Sequence, residues 1–73
     1  MSKYADLWLY VKNCGKDEIK ISFDDIKIIS NFEVDHSFLT YKKELNDYGY
    51  HVKKISMKNK NIIFERNKNN EVN

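Results

Sequence analysis

The spacing of apolar residues switches period several times within about 65 residues, and the order of those switches constrains the fold more than any single motif. Tyr4, Leu7, Trp8 and Val11 recur at i, i+3, i+4 and i+7, which predicts an amphipathic helix closing near Cys14-Gly15, where glycine can adopt the left-handed conformation. Glu18 to Phe23 then alternates, with Ile19, Ile21 and Phe23 on one side and Lys20 and Ser22 on the other, the pattern of a half-buried strand. Ser22-Phe23-Asp24-Asp25 reads as a helix start, with Ser22 as cap and two carboxylates favoured by the helix dipole.

A second helix is expected from Phe23 to about Ser30, burying Phe23, Ile26 and Ile29 and partly covering Ile28. Asn31-Phe32-Glu33-Val34 breaks the period and reads as a turn that tucks Phe32 and Val34 under the next element. Asp35 or Ser37 can cap a third helix that carries Phe38, Leu39, Lys42, Leu45 and Tyr48 near one face and stops at Gly49. Tyr50 to Met57 and Asn61 to Arg66 are the last two strands, joined by the polar turn Lys58-Asn59-Lys60-Asn61. Val52 and Ile55 have opposite parity, so a bulge or twist is expected near Lys53 and Lys54. Residues 1 to 66 then form one domain, and the polar stretch 67 to 73 is expected to be a frayed tail.

Helix, strand, helix, helix, hairpin is the element order of winged helix-turn-helix domains, an α+β class that sets its third helix in a nucleic-acid groove with the hairpin, or wing, beside it. Residue by residue, Tyr4-x-x-Leu7-Trp8-x-Tyr10-Val11, Ser22-Phe23-x-x-Ile26, Tyr48-Gly49-Tyr50-x-Val52 and Phe64-x-Arg66 resemble a family of small uncharacterised bacterial domains over about residues 3 to 66. Many members carry a longer, Trp-containing insertion before the third helix, where this chain has only the short Glu33 to Ser37 stretch. The resemblance implies a compact domain and carries no assigned activity.

Charge is unevenly distributed. Residues 1 to 35 hold five lysines against seven carboxylates, whereas residues 36 to 73 hold eight basic residues against four acidic ones, within a net charge of +2. A basic C-terminal half suits a phosphate-facing third helix and wing, and it suits equally an ordinary solvated lysine-rich surface. Ser37, Thr40, Tyr41 and Lys43 are the candidate groove residues of the third helix, where His36, Glu44 and Asp47 are also expected to be exposed. That helix has no Arg, so the commonest guanine contact is missing. On the hairpin, Lys53, Lys54, Lys58, Lys60 and Arg66 form a basic cluster with Asn59 and Asn61, fit either to follow a phosphate backbone or to protect sheet edges from aggregation.

Other chemistry finds little footing. Cys14, His36 and His51 lie 22 and 15 residues apart and match no zinc pattern; Gly15 and Gly49 are the only glycines, too few for a phosphate loop. Neither a cofactor nor an enzymatic activity is expected. A single cysteine fits a reducing compartment, and without an apolar spanning run or signal-peptide core the expectation is a cytoplasmic protein with no membrane partner. DNA is the expected partner, with a homodimer possible because one domain offers limited contact area. The rival is a protein-binding module, for example a phage or mobile-element inhibitor of a nucleic-acid-binding partner, using Tyr10 or Tyr41 as exposed anchors.

Overall fold

The computed structural model describes residues 3–68, a small α+β fold of three α-helices, one 3₁₀ segment and a three-stranded antiparallel sheet. Helix α1 (Ala5–Cys14) ends on Gly15, whose φ of 67° turns the chain back so that its N–H reaches Lys12 O at 3.2 Å. Strand β1 (Glu18–Ser22) passes without a linker into α2 (Phe23–Ser30), because the last strand residue is also the helix cap: Ser22 Oγ accepts the Asp25 N–H at 3.1 Å. Asn31 closes α2 in the left-handed region at φ 68°, a conformation asparagine tolerates better than most residues. Buried Ser30 finishes the turn, its Oγ lying 2.6 Å from Ile26 O and accepting the Phe32 N–H.

Of the two candidate caps for the third helix, Asp35 takes the role, its Oδ1 accepting Ser37 N–H at 2.9 Å. Helix α3 (His36–Tyr41) is shorter than its sequence pattern suggests, and Lys42–Tyr48 continues as 3₁₀ helix. The burial pattern explains the tightening. Leu45 is buried and both Lys42 and Tyr48 are half-buried, a spacing of three that three residues per turn stacks in one row. Spacings of three are compatible with either winding, so the sequence cannot distinguish them. Gly49 at φ 87° ends the segment and leads into β2.

Strands β2 (Tyr50–Ser56) and β3 (Asn61–Arg66) form the hairpin, and β1 pairs antiparallel with the far side of β3, giving the order β1-β3-β2. The expected irregularity is present as a register shift between Val52 and Lys54, which restores Ile55 to the same face as its partner Ile62. One sheet face carries Ile19, Ile21, Ile62, Phe64 and Tyr50 into the core, where they meet Leu7, Trp8, Ile26, Phe38 and Leu45 from the helices. Val52 packs at the margin of this core. The opposite face is built of cross-strand rows, Glu18–Glu65–His51, then Lys20–Ile63–Lys54, then Ser22–Asn61–Ser56.

Several positions differ from their sequence pattern. Ile28, expected to be partly covered, is 74% exposed, because an eight-residue α2 has room to bury only its Ile26 side fully. Phe32 and Leu39 also stay about half exposed, Phe32 lying edge-on against the Tyr4 ring rather than beneath α3. The first residue after β3 is not frayed: Asn67 N–H donates to Gly49 O at 2.8 Å and its Oδ1 lies 2.6 Å from His51 Nδ1. Lys68 is exposed, and residues 69 to 73 of the expected tail lie outside the described residues.

Two outcomes follow from this packing. Leu45→Ala opens a cavity in the core and is expected to cost about 2–5 kcal/mol in urea unfolding, whereas Ile28→Ala should stay within about 0.5 kcal/mol of the parent. The second concerns Asp35, whose carboxyl is held below its ordinary range by the Ser37 hydroxyl, the Ser37 N–H and the nearby Lys3 ammonium. A carboxyl with a native pKa below its unfolded value stabilises above the unfolded value, about 4, and that stabilisation disappears as pH falls through the depressed native value. Thermal melts between pH 2 and 5 should therefore show a flatter acid limb for Asp35→Asn, which keeps a capping oxygen without the titrating charge.

Candidate functional site

Two buried aromatics, Tyr4 at the N-cap of α1 and Trp8 in its first turns, set where α3 lies. Tyr4 and Trp8, one turn apart with ring centroids 5.8 Å apart, are both fully buried and both pack against Phe38. Each keeps its polar tip hydrogen-bonded. Tyr4 OH donates to Glu33 O at 2.7 Å, and Trp8 Nε1 donates to Glu44 Oε1 at 3.2 Å. The bonds tie down the chain before α3 and the 3₁₀ segment after it. Burial also pushes the Tyr4 phenol above its ordinary pKa, so it remains a neutral donor at physiological pH.

The solvent side of α3 and the following turn presents His36, Leu39, Thr40 and Lys43, of which His36, Thr40 and Lys43 fall at i, i+4 and i+7. Ser37 and Tyr41, expected on the same surface, are withdrawn from it. Ser37 is half-buried and engaged by its bonds to Asp35, while Tyr41 packs against the core with its ring 6.1 Å from Tyr4. Glu44 is half-buried as well, drawn in by the Trp8 indole. Two amides at the start of α3 are already bonded to Asp35, Ser37 N–H to its carboxylate and Phe38 N–H to its carbonyl, and a six-residue helix has little dipole to offer an anion.

The hairpin cluster is likewise divided. Lys53 lies 3.6 Å from both Glu18 Oε1 and Glu65 Oε2, spending its charge on the acidic row of the outer sheet face. Lys54 shares that face with Lys20 across Ile63, and half-buried Asn61 stands there between Ser22 and Ser56. Arg66 lies at the end of the sheet farthest from the turn. Its guanidinium bonds Gly15 O and Tyr50 OH, stacks over the Tyr50 ring at 5.8 Å and approaches Asp17, and the Tyr50 contact raises its pKa above the usual arginine value. That leaves Lys58, Asn59 and Lys60 at the tip, all exposed, with no ion pair to either lysine among the described residues. Lys60 closes the turn at φ 55°, and Asn59 N–H donates to Ser56 Oγ at 3.1 Å.

Between α3 and the hairpin runs a cleft of about 280 Å³, lined on the helix side by Val34, Asp35, His36, Phe38 and Leu39 and on the hairpin side by Ile55 and Met57. Its floor is apolar. Leu39 is 50% and Met57 72% exposed there, Met57 adjoining Lys58 of the tip in the chain. The sequence reading assigned Leu39 to the buried face and passed over Met57. The available signals were small: Leu39 is one position out of phase with Phe38 and Leu45, and Met57 continues the inward parity of Ile55 past the last paired residue of β2. Tyr10 is 45% exposed on α1, as its place off the apolar stripe implies.

No family model, curated protein or solved structure matches this chain. Among the described residues, no group of three or more His, Cys, Asp or Glu is arranged to hold a metal ion, and no helix is long and apolar enough to cross a membrane.

The Trp8–Glu44 bond makes the position of the site testable. Glu44→Ala leaves the buried indole N–H without its acceptor and is expected to destabilise by about 1–3 kcal/mol, with a red-shifted tryptophan emission as water reaches the ring. Glu44→Gln retains an acceptor oxygen and should recover most of both effects, which fluorescence-detected unfolding resolves.

Proposed function

We propose that the chain is a winged-helix DNA-binding module that acts as a regulator or accessory factor, with α3 as the groove-facing helix and the β2–β3 hairpin as the wing. The element order and the sheet order β1-β3-β2 support this reading, since they put the hairpin beside the third helix. The observation that carries it is two exposed polar features on the elements that flank one cleft: the His36, Thr40 and Lys43 stripe of α3 and the turn after it, with His36 in the cleft lining, and the unpaired Lys58-Asn59-Lys60 tip, which follows the lining residue Met57 on the hairpin. Lysines not neutralised by carboxylates are the ones that release counterions on meeting phosphates. Thr40, His36 and Asn59 add hydrogen-bonding groups for phosphate or base edges.

The interface of this proposal is smaller than the sequence pattern alone implies. Thr40, Lys43, Lys58, Asn59 and Lys60 remain in it, joined by His36; Ser37, Tyr41, Lys53, Lys54 and Asn61 act in capping, core packing or the outer sheet face. So small a contact area suits modest affinity or a dimer reading two half-sites. A protein-binding module is the second reading, favoured by the exposed apolar floor at Leu39 and Met57, which would accept a side chain of a protein partner.

Fluorescence anisotropy with a mixed-sequence duplex across a salt series separates the two. The DNA reading expects binding at low salt and a log–log salt slope that falls by about two in the Lys58→Ala/Lys60→Ala double variant, with affinity lowered similarly for every sequence. Absence of binding at low salt would remove the nucleic-acid reading and leave the protein partner. An unchanged slope would remove the hairpin from the interface.

A further inference from the structure

We infer that the site takes A·T-containing duplex DNA by apolar contact with thymine methyl groups, made by Leu39 together with the Thr40 methyl; the inference rests on the DNA reading above. A duplex offers a protein three kinds of group: phosphates, sugars and base edges. An apolar floor cannot replace the hydration of a phosphate, so the phosphates stay outside it, and Lys43 after α3 and Lys58 and Lys60 at the hairpin tip are exposed to meet them. What reaches the floor must itself be apolar. On the major-groove edges of the four bases, the C5 methyl of thymine is the group that meets this condition.

The donors present point the same way. Guanine is most often read by Arg or Lys; the one Arg of this chain is held at the other end of the sheet by Gly15 O, Tyr50 OH and Asp17, and Lys43 is assigned to phosphate in this proposal. No Arg or Gln stands on α3 or the turn after it, and the Asn46 side-chain oxygen there accepts from Asn67 Nδ2 at 3.4 Å. Leu39, by contrast, is half exposed, adjoins Thr40 on the helix and borders the cleft. A leucine left half in water by a helix that buries Phe38 and Leu45 on its other side is free to meet a methyl without disturbing the core.

The test compares three duplexes of one A·T-containing sequence, found by anisotropy to bind the full chain: the parent, one with thymidine replaced by deoxyuridine, and one with a central cytidine replaced by 5-methylcytidine. Removing the methyls is expected to weaken binding roughly fourfold for each one contacted, and the cytosine methyl, at the same groove position, should strengthen it. Leu39→Ala should erase the difference between thymine and uracil while leaving the salt slope unchanged, because Leu39 carries no charge. Circular dichroism checks that the variant remains folded, and Leu39→Met serves as a second variant that retains an apolar contact and part of the discrimination. Equal affinity for thymine and uracil duplexes, with DNA binding intact, would overturn the methyl contact and leave the parent reading standing. Failure to bind any duplex at low salt would overturn both.

Discussion

The placement of α3 depends on two aromatic side chains one turn apart, at the N-cap of α1 and within it. Tyr4 and Trp8 each bury a ring against Phe38 and each extend a hydrogen-bond donor past the core, one to Glu33 O ahead of the helix and one to Glu44 Oε1 behind it. The apolar part of each residue supplies the burial that a small core needs, and the polar tip supplies direction. Area burial alone would let α3 slide or rotate over the sheet, because dispersion is not directional. Two bonds on opposite sides of Phe38 remove that freedom. They also determine which residues remain outside, since fixing Phe38 and Leu45 inward turns His36, Leu39, Thr40 and Lys43 to solvent.

Where local rules and packing agree, the fold was legible in the chain. Ser22 caps α2, the left-handed glycines close α1 and the 3₁₀ segment, and opposite parity at Val52 and Ile55 marks the bulge, each from chemistry confined to a few neighbours. The third helix was only half legible. Phe38 and Leu45 lie seven apart, as an α-helix would have them, but Lys42, Leu45 and Tyr48 lie three apart and their burial follows the tighter winding. The segment is also held by Trp8 Nε1 donating to Glu44 Oε1, a contact between residues 36 positions apart that no local window contains.

The candidate site was legible as a set of basic and polar residues and not as a surface, for a related reason. Charge asymmetry along the chain says nothing about which lysines meet carboxylates in space. Once β1 pairs with β3, Glu18 and Glu65 become adjacent, and a lysine at the bulge is needed beside them; Lys53 takes that place, and His51 adds a further partner to Glu65 at 3.1 Å. Such exposed pairs contribute little stability, on the order of 0–1 kcal/mol each. Their larger effect is on the distribution of charge: they set lysine against carboxylate on the outer sheet face, while Lys58 and Lys60 at the hairpin tip meet no carboxylate among the described residues.

The sheet carries two obligations that its lysines divide between them. Both β1 and β2 are edge strands, and an unmodified edge invites pairing with another chain. Lys20 on one edge and Lys53 and Lys54 at the bulge of the other make such pairing unfavourable through charge and local twist. These lysines are therefore explained by the sheet itself, without a ligand. No comparable structural reason applies to Lys58 and Lys60, which lie beyond the last paired residues and neutralise no carboxylate among the described residues, nor to Leu39 and Met57, whose exposure costs burial that the small core would otherwise gain. Leu39 and Met57 border one cleft beside α3, and the Lys58 and Lys60 side chains follow Met57 at the hairpin tip; apolar exposure next to unneutralised charge is the reason the proposed function is placed there.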